Sequence, residues 1–82
     1  MIFKALLICF VAAIRTGNEP KLKDLLSHFK EFIDSHDTDG NTLLIIGVIN
    51  TQVNMVKMLL DEGADVNAPD SKGMTALHYA GI

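Results

Sequence analysis

The strongest constraint in this chain is one pattern that occurs twice. Asp37, Gly40, Thr42 and Leu44 recur as Asp70, Gly73, Thr75 and Leu77, each pair 33 positions apart. A second register runs backwards: Leu22, Lys23, Leu25 and Leu26 match Val56, Lys57, Leu59 and Leu60 at a spacing of 34. In that register Ala13 falls opposite Gly47, and Gly17 opposite Thr51. One extra residue within 27–36 accounts for the difference between 34 and 33. Self-similarity at such a period marks a supersecondary unit that cannot bury its apolar face alone and stacks on copies of itself. It divides the chain into a degenerate first unit at 1–36, a full unit at 37–69 and the opening of a third at 70–82.

The residues of the unit predict helices and tight turns. Gly40 and Gly73 stand where a turn needs a positive φ, which costs glycine little. Thr42 and Thr75 follow at helix starts, where a hydroxyl satisfies an orphan amide. Met55, Val56, Met58, Leu59 and Leu60 give an apolar face at helical spacing. Gly63 suits a left-handed cap that ends this helix. Val66 then anchors the return to the next turn. Leu25, Phe29, Phe32 and Ile33 predict a longer second helix in unit one. Its first turn carries Glu19-Pro20, where proline is tolerated.

The strings LLDEGADVNA at 59–68 and GMTALHY at 73–79 resemble the ankyrin repeat. That unit of about 33 residues is a helix–turn–helix with a β-turn, and its opening reads D-x-x-G-x-T-P-L-H-x-A. The resemblance implies an all-α ankyrin-repeat solenoid whose function is to bind another protein, as a scaffold, adaptor or inhibitor without catalytic activity. Two departures stand out. The proline is replaced by Leu43 and by Ala76. The histidine is kept at His78 but replaced by Ile45, which should make that junction more hydrophobic. The family binds partners through turn tips and the exposed face of the first helix. Carried over, the tips are Thr38, Asp39 and Asn41, then Ser71, Lys72 and Met74. The helix positions are Ile46, Ile49, Asn50 and Tyr79. Ile46, Ile49, Met74 and Tyr79 would form an apolar patch, with Asp39 and Lys72 as rim charges.

Composition narrows the partners. The chain has 82 residues, 49% of them apolar, with 7 basic and 10 acidic side chains giving a net charge of −3. A mildly acidic chain without a basic patch argues against nucleic acid and anionic membrane. One cysteine, Cys9, excludes an internal disulfide framework and suits a reducing, cytoplasmic setting; it reads as a small core residue.

Both termini carry alternatives. Residues 1–14, MIFKALLICFVAAI, read as the first helix of unit one or as a secretory signal, with Lys4 before an apolar run and Val11-Ala12-Ala13 as a cleavage site. The run falls short of the roughly 18 residues of a membrane span. At the other end the third unit has only its first helix. Leu77 and Ile82 are expected to be exposed or to meet another copy, so self-association of a fragment is the alternative function.

No residue set points to catalysis. Asp37-Thr38-Asp39-Gly40 looks like part of a calcium loop. Aligned on Gly40, its first and twelfth positions are Ser35 and Ile46, where the loop needs an acid or amide and a glutamate. An acidic turn is the plainer reading. His28, His36, His78 and Cys9 lack metal-ligand spacing, so no metal and no cofactor is expected. His78 reads as a structural hydrogen-bonding residue, and His28 and His36 as solvated. Lys21, Lys23, Lys30 and Glu31 read as a solvated helix face.

Overall fold

The computed structural model describes residues 2–80, with side chains from Lys4 onward. Five helices run along the chain: α1 (Ile2–Thr16), α2 (Glu19–Phe29), α3 (Leu43–Ile49), α4 (Val53–Asp61) and α5 (Ala76–Tyr79). A 3-10 turn at Lys30–Phe32 extends α2, so the longer second helix of unit one ends as a tightened turn. No strand forms among the described residues, and His36 and Thr42 make an isolated bridge. Leu77 is exposed, as expected. The expected Ile82 contact lies outside the described residues.

The period of the sequence is a period of hydrogen bonds. After α1, Gly17 takes φ 71° and the Asn18 amide donates to the Ala13 carbonyl at 2.9 Å. After α3, Thr51 takes φ 56° and the Gln52 amide donates to the Gly47 carbonyl at 2.9 Å. The turn is the same one repeat later, with a β-branched residue held where glycine is at ease. Helix starts follow the sequence too. Asn18 Oδ1 accepts from the Lys21 amide at 3.2 Å, and Thr42 Oγ1 from the Ile45 amide at 3.2 Å. Thr75 opens α5, where its own amide donates to Nδ1 of His78 at 2.9 Å. α4 closes at Gly63, with the Ala64 amide donating back to the Leu59 carbonyl at 2.9 Å.

The helices stack in two rows. α1, α3 and α5 form one row, and α2 packs against α4 in the other. The core is continuous through both units. Phe10 and Ile14 enter from α1, Leu22, Leu25 and Leu26 from α2, and Leu43 to Ile46 from α3. Met55 and Leu59 enter from α4, and Ala76 from α5. Burying a Leu, Ile or Phe side chain stabilises by about 1.5–3 kcal/mol relative to exposure, so stacking supplies most of what holds these short helices. Val66 packs against this core as expected. Ile45 is fully buried, which makes the junction at that position apolar.

Polar contacts cross from unit to unit. Gln52 Nε2 donates to the Arg15 carbonyl at 3.0 Å, and Asn54 Nδ2 to Glu19 Oε2 at 3.0 Å. The Asp65 amide donates to Asp34 Oδ1 at 2.8 Å. His36 Nε2 meets the Pro69 carbonyl at 3.0 Å. His36 is therefore exposed yet engaged, holding the two turns together. His78, by contrast, caps its own helix. Lys21, Lys23, Lys30 and Glu31 are exposed, and Lys30 pairs with Glu62 across 3.6 Å.

Cys9 is exposed, not a core residue. Phe10, Ala13 and Ile14 form the buried stripe of α1, and Cys9 lies about 100° round the helix from Phe10. Leu60 departs as well: it is 43% exposed, at the edge of the apolar face where the sequence placed it inside.

Candidate protein-binding surface

Each turn tip is built by one aspartate. Asp37 Oδ1 accepts from the amides of Asp39 and Asn41, both at 2.9 Å. Asp70 Oδ1 accepts from the amides of Lys72 at 2.8 Å and Met74 at 2.9 Å. The backbone closes both turns identically, from Gly40 to Asp37 and from Gly73 to Asp70, each at 3.0 Å. An aspartate side chain that caps its own turn is a local substitute for backbone bonding. The acidic-turn reading of Asp37 to Gly40 accounts for this geometry.

The two tips lie side by side. Ser71 Oγ donates to the Asp39 carbonyl at 3.3 Å. A Cβ placed on Gly40 would sit 2.7 Å from the Ser71 Cβ. Thr38, Asp39, Ser71 and Lys72 are exposed here, and Asn41 and Met74 are half-buried at the base. Behind the second tip the Tyr79 hydroxyl donates to Asp70 Oδ2. That bond is the main reason the Asp70 carboxyl lies below its ordinary value; burial opposes it, and the two turn amides and Lys72 reinforce it. The same bond, with burial and the aspartate's charge, raises the Tyr79 phenol above its ordinary value.

Of the expected residues, the structure joins the two tips to each other through Ser71 and Asp39, and Tyr79 to the second tip through Asp70. Ile49, half exposed at 50%, and Asn50 lie at the end of α3. Asn50 Nδ2 turns back to the Ile46 carbonyl at 2.8 Å. Tyr79 is half-buried on α5. Ile46 does not belong with them: it is 2% exposed and lies in the core. α3 reads LLIIGVI, with no polar residue to mark which side faces outward, so the expected four-residue apolar patch loses one member.

The outer face of α1 was not foreseen from the sequence. Lys4, Leu7, Ile8, Val11, Ala12, Arg15 and Thr16 face the tip residues Asp37, Thr38 and Asp39 across a groove of about 590 Å³. Its floor is apolar, with Ile8 62% exposed. Lys4 and Arg15 supply positive charge from the helix, and Asp37 and Asp39 negative charge from the tip. The signal was present: Lys4, Ile8, Val11 and Arg15 recur at helical spacing, but in an almost wholly apolar helix the outer stripe does not stand out.

Stacked helix pairs, aligned turn tips and an open groove beside them define a repeat-built interaction scaffold. The chain belongs to the ankyrin-repeat family: the family profile described as ankyrin repeats, in three copies, matches residues 9–82. Notch-regulated ankyrin repeat-containing protein of Xenopus tropicalis and of Homo sapiens is 36% identical over 74 residues, which cover 87% of this chain. The chain spans 65% of the length of those relatives. Inversin of Gallus gallus is 38% identical over 69 residues, 84% of this chain and 6% of inversin. Ankyrin repeats are generally protein–protein interaction modules, and the family is typically non-catalytic. Among the described residues no helix is long and apolar enough to cross a membrane, and no group of three metal-ligating side chains converges.

Proposed function

We propose that this chain is a non-catalytic binding module, an adaptor or inhibitor, that holds a partner protein in the groove between α1 and the turn tips. The carrying observation is the groove itself, whose floor of Leu7, Ile8, Val11 and Ala12 lies between Lys4 and Arg15 on one side and Asp37 and Asp39 on the other. An exposed apolar floor with charged rims suits a peptide that buries one or two apolar anchors and meets both charges at the edges. Thr38 and Asp39 line that groove, and Ser71 touches Asp39 beside it; Asn41, Lys72, Met74, Ile49, Asn50 and Tyr79 are further contact positions of the same proposal. Proteins retained by the wild-type chain are to be compared with those retained by Ile8→Asp and Asp39→Arg. Loss of the same protein from both variants, with unchanged circular dichroism, is the expected result. Full retention by both would remove this surface.

The setting is part of the same proposal. An exposed lone thiol at Cys9 supports a reducing, cytoplasmic location. The relatives are named as Notch-regulated, and we extend this to the chain: its amount or its partner binding follows Notch signalling. Inhibition of Notch that leaves both unchanged would remove that extension.

A further inference from the structure

α1 is longer than its counterpart in the next unit. In the 34-residue register Ile8 falls opposite Thr42, the residue that starts α3. Unit one therefore carries its first helix, Ile2–Thr16, through the stretch where unit two turns its tip. The added turns bring Lys4, Leu7 and Ile8 into the groove between α1 and that tip. Both walls belong to units that already stack on one another through α1 and α3. Along the helical wall, Lys4, Ile8, Val11 and Arg15 follow at four, three and four positions. That is the spacing of a seam that receives a second helix, with Leu7 and Ala12 as its flanks. On the other wall the backbone is already engaged. The amide of Asp37 donates to Asn41, that of Gly40 to the Asp37 carbonyl, and those of Asp39 and Asn41 to Asp37 Oδ1. An extended segment finds no free edge at these amides, whereas a helix satisfies its own backbone. Lys4 and Arg15 share the groove with Asp37 and Asp39, yet none of these four has an ion-pair partner among the described residues. Opposite charges on facing walls are held apart, with room for a segment between them.

On the reading that this groove holds the partner, we propose that the segment it holds is an amphipathic α-helix of about three turns. Apolar residues spaced by three and four on that helix cover Leu7, Ile8 and Val11. Carboxylates near its two ends meet Lys4 and Arg15, which stand about 16 Å apart along α1. A lysine or arginine on its flank meets Asp39 at the tip. Failure of the helix leaves the groove open to a partner segment of another shape, so the two are judged by different results.

Two capped, fluorescein-labelled peptides of about fourteen residues and identical composition separate a helix from an extended segment. In the first, two glutamates stand eleven positions apart, as Lys4 and Arg15 do, with leucines between them at spacings of three and four and lysine and alanine elsewhere. In the second, the same residues are reordered so that leucine alternates with polar residues. A saturable rise in anisotropy is expected with the first, and binding about ten-fold weaker or less with the second. Ile8→Asp should weaken binding of the first by about ten-fold, through lost apolar contact and burial of a charge. Lys4→Glu combined with Arg15→Glu should weaken it by about five- to ten-fold, and a peptide with lysines in place of the two glutamates should restore binding to that variant. All three positions are exposed, and circular dichroism verifies that each variant is folded. Equal or tighter binding of the alternating peptide, still lost in Ile8→Asp, overturns the helix and keeps the groove, with an extended segment as its occupant. No saturable binding of the first peptide, or a charge reversal without effect, also overturns the helix. The groove itself then stands or falls on the proteins retained by Ile8→Asp and Asp39→Arg.

Discussion

Replacing Thr51 by glycine should stabilise this protein, although it removes a side chain. Thr51 is held at φ 56°, and the left-handed region costs a residue with a Cβ about 1–2 kcal/mol. Its side chain is exposed and takes part in no hydrogen bond among the described residues. Glycine removes the steric cost and adds about 0.4–1 kcal/mol of chain entropy to the unfolded state. The difference is a gain of about 0.5–1 kcal/mol, or a rise in Tm of about 2–8 °C for a domain of this size. Gly17 occupies the same place one repeat earlier at φ 71°, and a Cβ there would lie 2.9 Å from Gln52 Oε1. Gly17→Ala should therefore lose about 1–2 kcal/mol. Urea unfolding of the two variants beside wild type, followed by circular dichroism, reads both signs at once. A lower midpoint for Thr51→Gly would falsify the claim that strain, and not local bonding, governs this turn.

The two tip glycines separate crowding from backbone strain: both have φ near 80°, but a Cβ meets Ser71 at Gly40 and nothing within 4 Å at Gly73. Gly40→Ala should accordingly cost more stability than Gly73→Ala by about 1 kcal/mol or more, and equal midpoints would mean the tips do not press on each other. His36→Ala removes the bond to the Pro69 carbonyl and should cost about 0.5–1.5 kcal/mol, measured by thermal melting; an unchanged Tm would show that this tie contributes nothing. Asp70 has a depressed folded pKa, so its contribution is complete above its ordinary value of 3.8 and is lost as pH falls through the folded value. Tyr79→Phe deletes the largest cause of that depression, so the loss of stability below about pH 4 should be shallower in the variant, and parallel acid titrations of the two proteins would contradict the assignment. Tyr79 itself has a raised folded pKa. Its contribution is present below the ordinary value of 10.0 and is lost as pH rises through the folded one.

Much of the architecture was legible because it is periodic. The Asp–Gly–Thr–Leu recurrence located both tips and both caps, and the longer register paired Gly17 with Thr51, the two residues that take a positive φ after a first helix. The second helices were legible as well, since charged residues alternate with leucines and mark two faces. The first helices were not. α1 and α3 are apolar nearly all round, so their sequences do not say which stripe faces the core. Cys9 was placed inside and lies outside; Ile46 was placed outside and lies inside. The groove on α1 was missed for the same reason.

The repeating unit is written in the chain: its length, its turns, its caps and the stacking that its half-apolar helices demand. Those follow from local chemistry, where an aspartate caps its own turn and a threonine starts a helix. Which side chains remain for a partner is settled only once the helices have packed. An apolar residue is core or surface according to whether another helix covers it. Leu22 and Val56 share one place in the repeat, yet the first is fully buried and the second is half-buried on the wall of a groove. Burial of that kind is a property of neighbours, so no window of the sequence around either residue contains it.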